Sequence, residues 1–385
     1  MINVFSETIN KLKSLEVIVA GTTLEASTVK SLEFAYSNTR PTVKGQLYFN
    51  DLYDLNMLTD WSIATVQVTF IDLLDDMFIR TFHVVNVEEA NEEMGRKSFV
   101  LDLVDEFSYA LSQSYISRSF KIPLNEALME LSADLGVDAI PHIEMDFSDV
   151  PYSKPYLTSK NINSLTYFTR ELYRKGYTFY QSKSGIHIKS MEDLIPASCP
   201  ENGEFTDHPT NEYYMNKVIE FNVLQNNRQL VDSKSTTLTY DPMTKTNKKI
   251  SEDPLNSLRL NSGSVNLSDG VTDMEYFQSQ LDGDQRSLDL KREYMDQNVV
   301  QMYVSGFVKN DLNQIYDMRF KGNDTYIESQ MKGDELLSGK YISKLIQEKI
   351  VLDSYIQMIT IHRADQMEVI SVDATTETTP DEEDF

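Results

Sequence analysis

The sequence predicts a mostly β chain of the α+β class, with two β-barrel domains that carry helix-containing insertions. Three observations predict it. Period-2 alternation recurs about every ten to fifteen residues over the first part of the chain, and it resumes after Val218 and Val299. Helical spacing is confined to the stretches between those runs. The segment Phe82–Glu89 is echoed by Tyr341–Glu348, and each is followed, after a turn, by a second alternating strand.

The strands are justified in order. Glu16-Val17-Ile18-Val19-Ala20 is a short apolar run. Leu32, Phe34 and Tyr36 alternate with Ser31, Glu33 and Ala35. Leu47 and Phe49 alternate after Gly45, and Val66, Val68 and Phe70 alternate with Thr65, Gln67 and Thr69. Ile79, Thr81 and His83 lead into Val84, Val85 and Val87. Phe99, Leu101 and Leu103 complete the series after Gly95. Side chains of a strand point alternately to its two faces, so each run buries one face, and a barrel or sandwich results. The first β-barrel domain is placed at residues 1–108.

The period changes at about Asp105. Leu124, Ala127, Leu128, Leu131 and Leu135 fall at helical spacing between Pro123 and Gly136, a start and a stop signal. A Pro-bearing loop follows, with Pro141, Pro151 and Pro155. A second helix is predicted from Ser164 to Tyr173, with Leu165, Phe168 and Leu172 on one face. Tyr177–Tyr180 and Ile186–Ile188 flank Ser182-Lys183-Ser184-Gly185, a hairpin signal. This helix-hairpin unit ends near Pro196 and forms an insertion domain, placed at 109–210.

Val218–Val223 resumes the strand pattern. Arg228 to Gly270 is polar with few apolar anchors and reads as an extended loop. From Asp273 to about Met295 the spacing of Met274, Phe277, Leu281, Leu288 and Leu290 is helical, so 231–298 reads as a loop and helix insertion. Val299–Val304 and Ile315–Phe320 are strands. A Gly339-Lys340 step then enters a closing hairpin, Tyr341–Ile350 and Tyr355–Arg363, with its turn near Leu352-Asp353-Ser354. Met367–Val372 has the composition of one more short strand. The second β-barrel domain therefore comprises 211–230 and 299–372. Residues 373–385 form an acidic, disordered tail.

Composition limits the function. The chain has 385 residues and 41% apolar residues, enough for more than one core. It carries 60 Asp and Glu against 35 Lys and Arg, a formal net charge of -25. Phosphate neutralisation needs a cationic surplus, so sequence-specific nucleic-acid binding is not expected. The lone Cys199 rules out an internal disulfide. No signal peptide, membrane anchor or long apolar run is visible, and folding in a cytosol is expected.

No catalytic, cofactor-binding or metal residues are assigned. There is no GxGxxG after a strand, no Gly-Lys-Ser/Thr phosphate loop, no HExxH and no GxSxG. His83, His142, His187, His208 and His362 are scattered, with no pair at helical ligand spacing. Asp282-Gly283-Asp284 begins like a calcium loop, but Arg286 stands where an oxygen ligand is needed, and it reads as a solvent turn.

Four stretches carry a resemblance to a known family. They are Ser164–Ile188, Ser305–Leu312 leading into Ile315–Phe320, Gly339–Ile350, and Tyr355–Arg363. In these the chain resembles the central baseplate hub protein of contractile-tailed phages, related to the hub part of type VI secretion spikes. The resemblance implies a structural protein rather than an enzyme. It implies two tube-protein-like barrels per chain and a homotrimeric ring, pseudo-sixfold, that joins the sixfold tail tube to a threefold central spike and lets DNA pass. Its partners would be the tail tube protein, the central spike protein and other baseplate proteins. Its location would be the virion baseplate, after assembly in the host cytoplasm. The chain has no β-helix repeats, so the spike would be a separate protein. The competing classes are a receptor-binding adhesin and a glycan-degrading tail hydrolase.

Overall fold

The computed structural model describes residues 11–93, 96–115, 117–152, 156–157, 161–190, 204–206, 218–225, 235–241, 246–252, 274–277, 298–319 and 339–363. The expectations for Cys199, His208, residues 278–295, Met367–Val372 and the tail from Thr375 lie outside these residues.

The first β region holds β1 (Ser14–Val19), β2 (Thr22–Leu24), β3 (Val29–Ser37), β4 (Arg40–Asn50), the short helix α1 (Leu55–Leu58), β5 (Thr65–Ile71), β6 (Met77–Glu93) and β7 (Arg96–Asp105). A helical unit follows, with α2 (Glu106–Gln113), β8 (Ser119–Phe120), α3 (Leu124–Asp134), β9 (Glu144–Phe147), β10 (Tyr156–Leu157), α4 (Ser164–Arg174), β11 (Tyr177–Gln181) and β12 (Gly185–Ser190). The remainder is β13 (Glu204–Thr206), β14 (Val218–Gln225), β15 (Ser235–Asp241), β16 (Thr246–Glu252), β17 (Met274–Phe277), β18 (Asn298–Ser305), β19 (Ile315–Arg319), β20 (Gly339–Val351) and β21 (Ser354–Arg363). The chain is mostly β and of the α+β class, as its periodicity predicts.

The two β regions form one 13-stranded sheet, ordered β14-β18-β21-β20-β3-β4-β7-β6-β5-β1-β2, with β19 beside β20 and β13 beside β19. The joint between them is antiparallel pairing of Leu32–Ser37 with Leu345–Ile350. On one face Val29, Leu32, Phe34 and Tyr36 of β3, Val66, Val68 and Phe70 of β5, and Val300, Met302 and Val304 of β18 enter a single core. Phe70 of the first half packs edge-on against Tyr355 of the second, with ring centroids 5.2 Å apart.

The two halves repeat each other strand for strand. Order β3-β4-β7-β6-β5 matches β14-β18-β21-β20-β19, with every neighbour antiparallel. Two irregularities match as well, although β3 between Ala35 and Ser37 and β6 between Ala90 and Glu93 shift register without a counterpart among the described residues. β6 bulges between Val84 and Asn86, and β20 bulges between Ser343 and Leu345. In the echo of Phe82 with Tyr341 these are the same position. β3 bulges between Val29 and Ser31, and β14 between Val218 and Glu220. The registers then equate Gln46-Leu47-Tyr48 with Gln301-Met302-Tyr303. Val84 N–H donates to Ala64 O, and at the equivalent place Ser343 N–H donates to Gln314 O, both at 3.1 Å. A meander order can recur by chance. Two bulges at matched places bend the strands alike, which makes the halves the same unit.

The helical unit has its own core, with Phe107, Leu128, Leu131, Phe168, Leu172, Phe179 and Ile188 buried. α3 ends where the sequence predicts, because Gly136 adopts φ 72°, which a residue without Cβ reaches without strain. α4 starts at Asn163, whose side chain accepts from Thr166 N–H at 2.8 Å.

Two expectations need correction. Within the stretch Arg228 to Gly270, read as an extended loop, Ser235–Asp241 and Thr246–Glu252 are strands, β15 and β16, paired antiparallel. Residues Met274–Phe277 are not helical: they form β17, parallel to β15. Thr236, Thr237, Thr239 and Tyr240 favour strand by their β-branched and aromatic side chains, yet give no apolar alternation to detect. Met274 and Phe277 lie three apart, which fits a helix face in sequence but here sits in an extended segment. α2 was not expected. It is capped by Asp105, whose carboxylate accepts from Ser108 N–H at 2.8 Å.

Ile359 is fully buried in the shared core. Ile359→Asp should therefore cost about 4 kcal/mol or more, since a carboxylate there has no partner. Chemical denaturation checks it; an unchanged midpoint would show that the residue is not a core position.

Candidate functional site

The three structural units meet at the turn between β11 and β12. The turn ties itself: Ser182 Oγ accepts from Ser184 N–H at 3.2 Å and Gly185 N–H at 3.1 Å. Gly185 is required, because a Cβ there would lie 2.4 Å from Glu144 O. The turn then bonds to both halves of the sheet. Ser182 O accepts from Arg80 Nη2 of the first half at 2.9 Å. The N–H groups of Lys183 and Ser184 donate to the Asp311 carboxylate of the second half at 2.9 and 3.1 Å.

Lys183 carries its ammonium inward. Its Nζ lies 2.5 Å from Glu348 Oε1, and both side chains are almost wholly buried. Lys183 Nζ also donates to Phe307 O at 3.0 Å. Gln357 Nε2 donates to Glu348 Oε1 at 2.7 Å and to Phe307 O at 2.8 Å. The Tyr355 hydroxyl donates to the same Glu348 oxygen. A buried charge is tolerated when it is paired and hydrogen-bonded, and this carboxylate has both. Burial, then the Glu348 charge, pushes the Tyr355 hydroxyl well above its ordinary range, and Tyr36 likewise, so both stay protonated.

A second fastening lies beside it. Gln181 Nε2 donates to Asp105 Oδ1 at 2.7 Å and to Ser108 Oγ at 2.9 Å. The other Asp105 oxygen accepts from Val43 N–H at 2.9 Å. Asp105 thus caps α2, holds β4 and receives β11. On the solvent side of the turn, His187 Nε2 lies 2.9 Å from Ser182 Oγ, and its Nδ1 lies 3.4 Å from Asp146 Oδ2. Burial holds the His187 pKa below its ordinary 6.5, although Asp311 and Asp146 pull upward.

The face of the sheet away from the core forms a groove of about 930 Å³ across eight strands. Glu33, Lys44, Gln46, Asp102, Glu220, Tyr303 and Lys349 line it. Lys349 Nζ lies 2.5 Å from Glu33 Oε1. Asp102 accepts from Gln46 Nε2 at 3.1 Å and Asn86 Nδ2 at 3.0 Å. Glu33 and Asp102 are thus engaged by neighbours in the sheet.

The four described histidines do not converge. His83 stacks on Tyr109 with centroids 4.1 Å apart, His187 sits at the turn, and His362 is on β21. His142 lies in a loop with φ 63°. Among the described residues no group of three or more His, Cys, Asp or Glu could hold a metal. Nor is any described helix long and apolar enough to cross a membrane. The seam residues Lys183, Asp311 and Glu348 were not singled out. Glu348 did leave a signal, since it occupies the inward position between Ile346 and Ile350.

No protein-family model and no curated protein matches the sequence. Solved structures do. A tail protein from Neisseria meningitidis aligns with TM-score 0.61 and 10% identity, over 91% of this chain and 97% of its own. The 43 kDa tail protein of prophage MuSo2 from Shewanella oneidensis aligns with TM-score 0.57 and 9% identity, over 92% and 99%. The fold is that of phage tail proteins. It extends to type VI secretion: an E. coli component of that system aligns with TM-score 0.52 and 9% identity, over 91% of this chain and 75% of its own, and is itself described as similar to T4 bacteriophage tail proteins.

Two predictions follow from the seam. Lys183→Met leaves Glu348 charged and buried without its cation, and should cost about 3–5 kcal/mol in denaturant unfolding. Adding Glu348→Gln should recover most of that loss; a double variant as unstable as the single one would remove the ion pair as the cause. His187 binds its proton less readily folded than unfolded. Stability should therefore fall as pH drops below the ordinary value of 6.5, with His83 shifted the same way by burial. In melting scans between pH 7.5 and 5.5, His187→Asn should flatten part of the slope, and an unaltered slope would exclude His187.

Proposed function

We propose that this chain is a structural hub protein of a contractile-tail baseplate. Three copies form a ring that joins the sixfold tail tube to the threefold central spike and leaves a passage for DNA. The observation that carries this reading is the internal repeat. A threefold ring meets a sixfold tube without mismatch only if each subunit offers two like surfaces. Here each chain has two five-stranded units with the same order and with two bulges at matched places. The likeness to phage tail and secretion-spike structures supports a tail structural protein without catalytic activity.

The proposed division is a first β domain at 1–108, the helix-hairpin insertion at 109–210, a second β domain at 211–230 and 299–372, an insertion at 231–298, and an acidic tail at 373–385. The partners are the tube protein, the spike protein and other baseplate proteins, in a virion assembled in the host cytoplasm. The groove face is the candidate channel wall. Its lining has three carboxylates turned to the groove (Glu33, Asp102, Glu220) against two lysines (Lys44, Lys349), which suits passage of a polyanion without capture.

Light scattering coupled to size exclusion should give three times the mass of one chain, alone or with tube or spike protein, and negative-stain images should show a ring with a central hole. A strict monomer under all of these conditions would remove this reading.

A further inference from the structure

We infer that the outer edge of β6, beyond its bulge, pairs with the outer edge of β14 from a second copy of this chain, in the register of the internal β3–β20 joint. This rests on the ring reading and supplies the contact that closes it.

The repeat makes the argument. Inside one chain, β3 of the first half lies antiparallel against β20 of the second, on the part of β20 that follows the bulge. β14 is the counterpart of β3, and β6 is the counterpart of β20. Each half therefore owns one strand of each kind, and the internal joint uses only one of each. Two edges are left over. β5 accompanies β6 no further than His83. Among the described residues, neither the outer edge of β6 after Val84 nor the edge of β14 away from β18 has a strand neighbour. An open edge is a template for pairing, and edges that differ join copies head to tail.

The place beside the β6 bulge agrees. At the internal joint, the turn between β3 and β4 seats on the β20 bulge: Asn38 N–H donates to Lys344 O at 3.0 Å, and Asn38 Nδ2 to Asn313 Oδ1 at 2.8 Å. The counterpart of Lys344 is Val85. Val85 is 51% exposed, and it borders a cleft of about 460 Å³ with Trp61, Tyr109 and Gln113. Among the described residues, the seat that is filled inside the chain has no occupant outside it.

The register transfers residue by residue. Glu33 pairs with Lys349 internally, and their counterparts are Asn222 and Ala90. Phe34 pairs with Glu348 internally, and the counterparts are Val223 and Glu89. Internally Glu348 is balanced by Lys183 at 2.5 Å; Glu89 already has Lys97 on β7 at 3.1 Å. The exposed Glu88 and Glu89 keep this edge from indiscriminate pairing before assembly.

The test is a cysteine cross-link in the full-length chain with Cys199→Ser. Ala90→Cys combined with Asn222→Cys should, on oxidation, give covalent dimers and trimers on a non-reducing gel. The shifted pair Glu88→Cys with Asn222→Cys should give far less. If light scattering shows a trimer that the 90–222 pair never links, the strand joint is overturned and the ring stands. The same holds if the shifted pair links instead. Ladders that continue past three support the joint and overturn the closed threefold ring. A monomer under all conditions overturns both.

Discussion

The whole molecule depends on one antiparallel joint, Leu32–Ser37 against Leu345–Ile350. It brings together segments from opposite ends of the chain and turns two half-sheets into one surface with a single core. Backbone pairing alone does not decide such a joint, since each hydrogen bond contributes a net of about 1 kcal/mol. What decides it is the inward face. Phe34 stacks on Phe82 with centroids 4.9 Å apart, and Phe70 meets Tyr355 across the halves. A slip of one residue would turn these rings outward and expose the core face. Glu348 sits in this joint opposite Phe34, and its charge is answered by Lys183 from the helical unit. The ion pair therefore makes docking of the helical unit a condition for an unstrained joint. An apolar pair there could be as stable. It would not link the three units.

The repeat explains why the halves look alike, and its departures explain why the chain is not symmetric. The connection from β18 to β19 is short and buried: Phe307 and Leu312 are in the interior, and Val308 N–H donates to Asp72 Oδ2 at 2.8 Å. Gly306 enables this, because a Cβ there would lie 2.3 Å from the Tyr355 ring. The counterpart connection from β4 to β5 is longer and carries α1. Its Met57, Leu58 and Ile63 are 84%, 78% and 74% exposed. One connection is consumed inside the chain; the other faces outward. The same division holds for the strand edges.

Much of this fold is legible in the sequence. Alternation locates β3, β5, β7, β18, β20 and β21, because each buries one face and wets the other. Gly136 and the Ser182–Gly185 turn are readable because their backbone demands are local. The echo of Phe82 with Tyr341 points to the repeat, but the rest of the repeat is hidden. β3 and β14 share only Val29 with Val218 in their paired stretch, and β4 and β18 only Gln46 with Gln301 and Tyr48 with Tyr303. The equivalence lies in bulge positions, which are a property of pairing and not of residue type. β15 and β16 are hidden for a different reason: residues such as Lys248 and Lys249 are polar on both faces, so the strand has no period. The seam is the least legible. Arg80, Lys183, Asp311 and Glu348 come from four distant segments, and only tertiary packing makes neighbours of them.

The groove face follows from the same logic of pairing. Its side chains are the outward positions of strands whose inward positions build the core. A basic lining would release counterions from a phosphate backbone and hold it. An apolar lining would make a sticky patch. The lining here is not basic, and it mixes charged side chains with apolar ones such as Val85, Ile219, Ile356 and Met358. Lys349 is engaged by Glu33, so binding phosphate there would require breaking an existing pair. Asp102 accepts from two side-chain amides. Such a surface repels a polyanion mildly and gives it no fixed anchor. In the ring proposed above, such a face would serve as a wall along which a polymer slides, and its residues alternate along each strand with those that hold the two halves together.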